Sequence, residues 1–154
     1  MSDSSVRDTV TGRVRVLRDL ALVGIAVLVG VIAHVLWASH HMRVEVTRDT
    51  LSVRGDVLGP RLLLAALSPE LARVVDPRND PQLRVAGRIF GGGFAGYRSG
   101  WFRLADGSKA QVFLRDGERA VYVPTRQGYG LMVSAPDAEA VLRALKRNYD
   151  LSRD

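Results

Sequence analysis

The side chains in this chain that could do chemistry are few, and their spacing limits them further. The only histidines are His34, His40 and His41. None lies beyond residue 41, so no histidine is left there to act as base for a serine. His40 and His41 are adjacent, not at the i, i+4 spacing that puts two metal ligands on one helix face. His34 sits in an apolar run without an acidic partner, where a tolerated or interfacial histidine is the simpler reading. Cysteine is absent, which removes disulfides, thiolate metal sites and cysteine nucleophiles. The run Gly91-Gly92-Gly93-Phe94-Ala95-Gly96 contains G-x-G-x-x-G, but a dinucleotide fingerprint must open a helix. Here it runs into a predicted strand, so a flexible glycine-rich strand connection is expected. No Gly-Lys-Ser/Thr follows it, so there is no phosphate loop. Asp106 and Asp116 each precede a glycine, where turn chemistry explains them. The expectation is a protein without catalytic residues, metal or cofactor, and not an enzyme.

The net charge is +6, and all but Lys109 and Lys146 of the 22 basic residues are arginine. These arginines are scattered among carboxylates, without the clustered patch that marks a nucleic-acid reader, so no nucleic acid is expected as a partner.

The elements that must position these residues begin with a membrane segment. Leu20 to Ser39 reads LALVGIAVLVGVIAHVLWAS, without a formal charge. Twenty helical residues at about 1.5 Å rise span a hydrocarbon core of about 30 Å. Arg18 and Asp19 before it, Arg43 after it and Trp37 near its end suit the two interfaces. A cleaved signal peptide would have a shorter apolar core ending in a small-x-small site, and the nearest match, Val31-Ile32-Ala33, is inside the run. Residues 1–19 are then a tail, 20–39 a transmembrane helix in the bilayer, and 42–149 one domain. Ala26 and Gly30 form a small-xxx-small pair on which two helices could pack. Four arginines before the span (7, 13, 15 and 18) against three after it (43, 48 and 54) favour a cytoplasmic N-terminus and an external domain.

Past the span the chain alternates in short runs. Val44 and Val46, then Leu51 and Val53, read as a hairpin turned at Arg48-Asp49. Ser68-Pro69 opens a predicted short helix to about Val75, ended by Asp76-Pro77 and Asp80-Pro81. A β-meander follows, with strands expected at 84–90, 97–104, 109–115, 120–124 and 129–134. Asp106-Gly107 and Asp116-Gly117 serve as hairpin turns. Ser134 with Asp137 resembles a capping box for a last helix, whose stripe is Ala138, Val141, Leu142 and Leu145. Seven short strands and one amphipathic helix suggest a mainly β domain, a bent sheet or small barrel closed by the helix.

One set of residues has a functional reading. If Phe102, Leu104, Val112, Leu114, Val121, Val123, Leu131 and Val133 face the core, alternation puts Trp101, Phe113, Tyr122 and Met132 on the other face, joined by Tyr97. These five are the candidate interaction surface. The alternative is that the C-terminal helix covers part of this face and makes it core.

The stretch Gly96 to Ser134 resembles bacterial pleckstrin-homology-like domains. The likeness lies in Gly96, Tyr97, Gly100, Trp101 and Phe102, in Val121 to Thr125, and in Tyr129 before the last strand. With the early hairpin and the C-terminal helix it extends over 42–148. It implies a bent seven-stranded barrel capped by a C-terminal helix, often behind an N-terminal membrane helix. Eukaryotic phosphoinositide-binding members carry a basic cluster in a long first hairpin loop; here that loop is a tight turn with one arginine, Arg48, beside Asp49. The function expected is a non-catalytic interaction or scaffolding module at the bacterial cytoplasmic membrane, with a protein partner or a second copy of itself. Anionic-lipid binding, or service as an accessory subunit of a membrane enzyme, are the alternatives.

Overall fold

The computed structural model describes residues 18–33, 42–94 and 96–152. The chain divides into two compact units, Met1–Trp37 and Ala38–Asp154. In the first, residues 18–33 form helix α1, and every one of them is exposed, among them Leu20, Val23, Ile25, Val27 and Leu28. Among the described residues no helix is long and apolar enough to cross a membrane. Residues 34–39 of the expected span, with His34 and Trp37, lie outside the described residues, as do His40, His41 and the tail to residue 17.

Among the described residues the second unit holds nine strands and helix α2 (Ala138–Leu151). Strands β1 (Arg43–Val46), β2 (Thr50–Arg54) and β3 (Arg61–Leu63) make an antiparallel sheet in the order β1-β2-β3. The first hairpin forms as its alternation requires, Val44 opposite Val53 and Val46 opposite Leu51, closed by the Thr47 N–H donating to the Thr50 carbonyl at 2.8 Å. The larger sheet comprises β4 (Arg73–Val75), β5 (Val85–Phe94), β6 (Tyr97–Leu104), β7 (Lys109–Arg115), β8 (Ala120–Pro124) and β9 (Gly130–Ser134). Its order is β4-β8-β9-β7-β6-β5.

Several expectations are corrected. The domain is not a closed seven-stranded barrel but two sheets, because the ladder of β1–β3 never continues into the larger one. The segment after β3 is tied to β8 instead by the bridge Leu67–Thr125 and by the Ser68 N–H donating to the Pro124 carbonyl at 2.8 Å. The later strands are not a simple meander: β9 inserts between β7 and β8 and runs parallel to β7. Its sequence GLMVS is buried at all five positions, as a strand flanked on both sides and covered on both faces must be. The helix expected over 69–75 is a single 3-10 turn, Pro69–Leu71, followed by β4, whose β-branched Val74 and Val75 suit a strand. The glycine run is not a loose connection; β5 carries it in pairing as far as Phe94. At Gly91 (φ 116°) and its partner Gly100 (φ 127°) the backbones approach so closely that a Cβ on either would strike the backbone of the paired strand. Glycine is therefore required at both. Ser134 does not cap α2. Asp137 does, accepting from the Ala140 N–H at 2.8 Å, while the Ser134 hydroxyl accepts from the Arg115 N–H at 3.1 Å.

The larger sheet buries both faces. One packs Tyr97, Phe113, Val121, Val123, Leu131 and Val133 against Leu51 and Val53 of the small sheet and Leu145 and Tyr149 of α2. The other holds Phe102, Leu104, Val112, Leu114 and Met132, with Leu83 and Val75 among them. Leu83 belongs to residues 76–84, which must link strands at opposite edges of the sheet. This connection is fastened by backbone: the Ala105 N–H donates to the Arg84 carbonyl and the Asp106 N–H to that of Gln82. Asp80 accepts from the N–H groups of Gln82 and Leu83, both at 2.9 Å.

Because both cores lie within residues 42–152, that segment is expected to unfold in one cooperative denaturant transition. Phe113→Ala should lower its stability by about 3–5 kcal/mol. Leu71→Ala, at an exposed position, should change it by less than about 0.5 kcal/mol. Equal effects in urea melts would contradict this packing.

Candidate interaction surface

The structure does not gather the five candidate residues on one surface. Strand register decides this. Phe113 lies opposite Ser99 and Val133, and Val133 opposite Val121, so Phe113 shares a face with Val121 and Val133 and not with Met132. Met132 lies opposite Val112 and Tyr122, on the face that also holds Phe102. Phe113 and Met132 are fully buried, Tyr97 is buried, and Trp101 and Tyr122 are half-buried. The set divides as Tyr97, Trp101 and Phe113 on the face toward the small sheet, and Tyr122 and Met132 on the other. The expected core residues divide in the same way, because the inserted β9 resets the phase between β7 and β8.

Tyr97 is anchored from across the domain. Its hydroxyl donates to Asp56 Oδ2 at 2.6 Å and lies 3.2 Å from Met42 Sδ. Burial, then the hydrogen bond to Asp56, pushes the phenol well above its ordinary range. Tyr122 is also raised, by burial and then by Asp106. Asp56 belongs to the loop between β2 and β3, whose Leu58 carbonyl accepts from Gln111 Nε2 at 3.1 Å. This loop thus rides on β6 and β7.

Around that loop is apolar surface that the packing leaves open. Gln111 is opposite Trp101, and Trp101 opposite Phe90 of edge strand β5. Trp101 also meets Tyr129 edge-on, with ring centroids 4.9 Å apart. Phe90 is 62% exposed, Ile89 50%, Val57 87% and Leu58 36%, so apolar side chains stay open on β5 and on the loop tied to β7. Sequence reasoning passed over Ile89 and Phe90. Their adjacency gave no signal, since Val112 and Phe113 are likewise adjacent and both are buried, one in each core. The register shift between Arg88 and Phe90 is the bulge that leaves both outside.

Two surface hollows hold no catalytic arrangement. One, about 360 Å³, is lined by Glu118, Arg119 and Pro136 at the start of α2, where Arg119 pairs with Glu139 at 3.1 Å. The other, about 460 Å³, is lined by Glu70, Arg126, Tyr149 and Ser152, with Arg126 donating to the Tyr149 hydroxyl at 3.0 Å. Neither brings a nucleophile to a base. Among the described residues no group of three or more histidines, cysteines or carboxylates could hold a metal ion.

The Tyr97–Asp56 bond has a pH signature. A phenol held above its ordinary pKa of about 10 in the fold keeps its proton where the unfolded chain loses it. Its contribution is therefore whole below pH 10 and declines as pH rises further. Tyr97→Phe should cost about 1–2 kcal/mol at neutral pH and flatten the loss of stability between pH 10 and 11. An unchanged alkaline slope in the variant would contradict the bond.

Comparison with known proteins agrees with this architecture. A family model described as a bacterial PH domain matches residues 70–149, more than half of the chain. The match covers the six-stranded sheet and α2 as far as Tyr149, and leaves β1–β3 outside. No curated protein and no solved structure matches the chain. By that match, over a sheet followed by a C-terminal helix, the chain belongs to the bacterial PH domain family.

Proposed function

We propose that this protein is a membrane-tethered, non-catalytic interaction module, which binds a protein partner through the apolar surface around β5. The carrying observation is that both sheet faces are filled while Ile89, Phe90 and Val57 stay exposed. An exposed apolar cluster on an otherwise well-packed domain marks a contact site. The tether is supported by α1, whose apolar residues are exposed on every side, as a helix apolar all round requires an apolar surrounding. The arginine bias favours a cytoplasmic N-terminus and the domain on the outer side of the bacterial membrane. Family membership supports a binding role over a catalytic one, since the fold is a scaffold and function lies in the site.

Lipid is the second reading, favoured by the chain's net charge of +6 beside a membrane. The tight first turn, with Arg48 alone beside Asp49, supports only diffuse attraction and no headgroup pocket.

A photoreactive residue in place of Phe90, in the full chain in living cells, separates the two readings. The expected result is a discrete protein adduct that is absent when the same residue replaces Leu71. Adducts with lipid alone, or equal adducts at both positions, would overturn the protein reading. Asp106→Cys, a lone thiol in an exposed turn, should react with an impermeant maleimide on intact cells; labelling only after lysis would reverse the orientation.

A further inference from the structure

From the open edge of the large sheet we infer that this protein pairs with a second copy of itself, β5 against β5 about a two-fold axis at Gly92. The inference rests on the reading of β5 as the contact region and names the partner. A long edge strand is a template for another strand unless it is blunted by charge, proline or cover. The sheet has two edges, β4 and β5. The first has three residues and packs against α2. The second has ten residues, no proline and one charge, Arg88. Between the bulge at Ile89 and the turn at Gly96, the regular edge is Phe90-Gly91-Gly92-Gly93-Phe94. Its three central residues offer no side chain to obstruct an approaching backbone.

That segment reads the same in both directions, and this selects a second copy over an unrelated strand. A two-fold interface needs one patch that complements itself. Antiparallel pairing centred on Gly92 sets Phe90 of each copy opposite Phe94 of the other, and Gly91 opposite Gly93. Pairing is confined to these five residues, because the register breaks at the bulge of Ile89 on one side and the strand ends at Phe94 on the other.

The chain has no cysteine, so one can be placed on the axis. Facing residues in paired strands lie within the span a disulfide bridges, and a Cβ at Gly92 meets nothing within 4 Å. With the full chain purified in detergent, mild oxidation of Gly92→Cys should give a covalent dimer at least tenfold faster than Lys146→Cys on the exposed face of α2. Adding Phe90→Lys, which puts a charge on the edge, should slow it at least fivefold. The cysteine-free protein should sediment as a dimer that Phe90→Lys weakens. Cross-linking at Gly92 no faster than at Lys146, or a dimer indifferent to Phe90→Lys as α1 pairing alone would give, overturns the proposal. If Gly92→Cys fails while a photoreactive residue 90 still captures a different protein, self-pairing falls and the interaction module stands; failure of both removes both.

Discussion

Everything in this domain follows from one constraint: the six-stranded sheet is apolar on both faces and must be covered twice. A sheet that alternates apolar and polar residues needs one partner layer. Here Phe113 and Val112, neighbours in β7, are both fully buried on opposite faces. The face bearing Phe113 is covered by β1–β3 and α2. The face bearing Val112 is covered by residues 76–84, which must cross the sheet because β4 and β5 lie at its two edges. Asp76 opens that crossing, its carboxylate held below the ordinary range by the Arg78 N–H and the Asn79 side chain. Helix α2 packs against edge strand β4, while Ile89, Phe90, Gly92 and Gly93 on edge strand β5 stay exposed.

Much of the fold was legible because local patterning and global pairing agree over most of the chain. Strands 97–104, 109–115 and 120–124 stand where alternation places them, and the first hairpin has the expected partners. The stripe of α2 faces the core through Leu145. What alternation could not reveal is which strands are neighbours. Asp116-Gly117 is a sound turn signal, but a turn does not say whether the next strand returns beside the last or leaves a place to be filled. Here β9 fills it, and so the sequence divided the apolar residues of β6–β9 into the wrong two faces.

The same ambiguity governs the candidate surface. Tyr97, Phe113 and Met132 looked available because one face was taken to suffice as core. With two cores they become structural, and the available residues are those displaced by a bulge, Ile89 and Phe90, and those on the loop that Tyr97 and Gln111 hold down. The glycine run also changes meaning. Gly91 and Gly100 permit a close backbone approach, while Gly92 and Gly93 leave the outer edge bare. Under the proposed self-pairing, this bare, palindromic edge, rather than any pocket, is where the protein meets its partner.

Amide hydrogen exchange along β5, measured on the full chain over a hundredfold dilution series, tests this most directly. Pairing across the open edge predicts that amides in residues 90–94 are protected at high concentration and exchange at least tenfold faster on dilution, while those of the enclosed strand β9 do not change. Exchange in 90–94 that is independent of concentration would contradict the account.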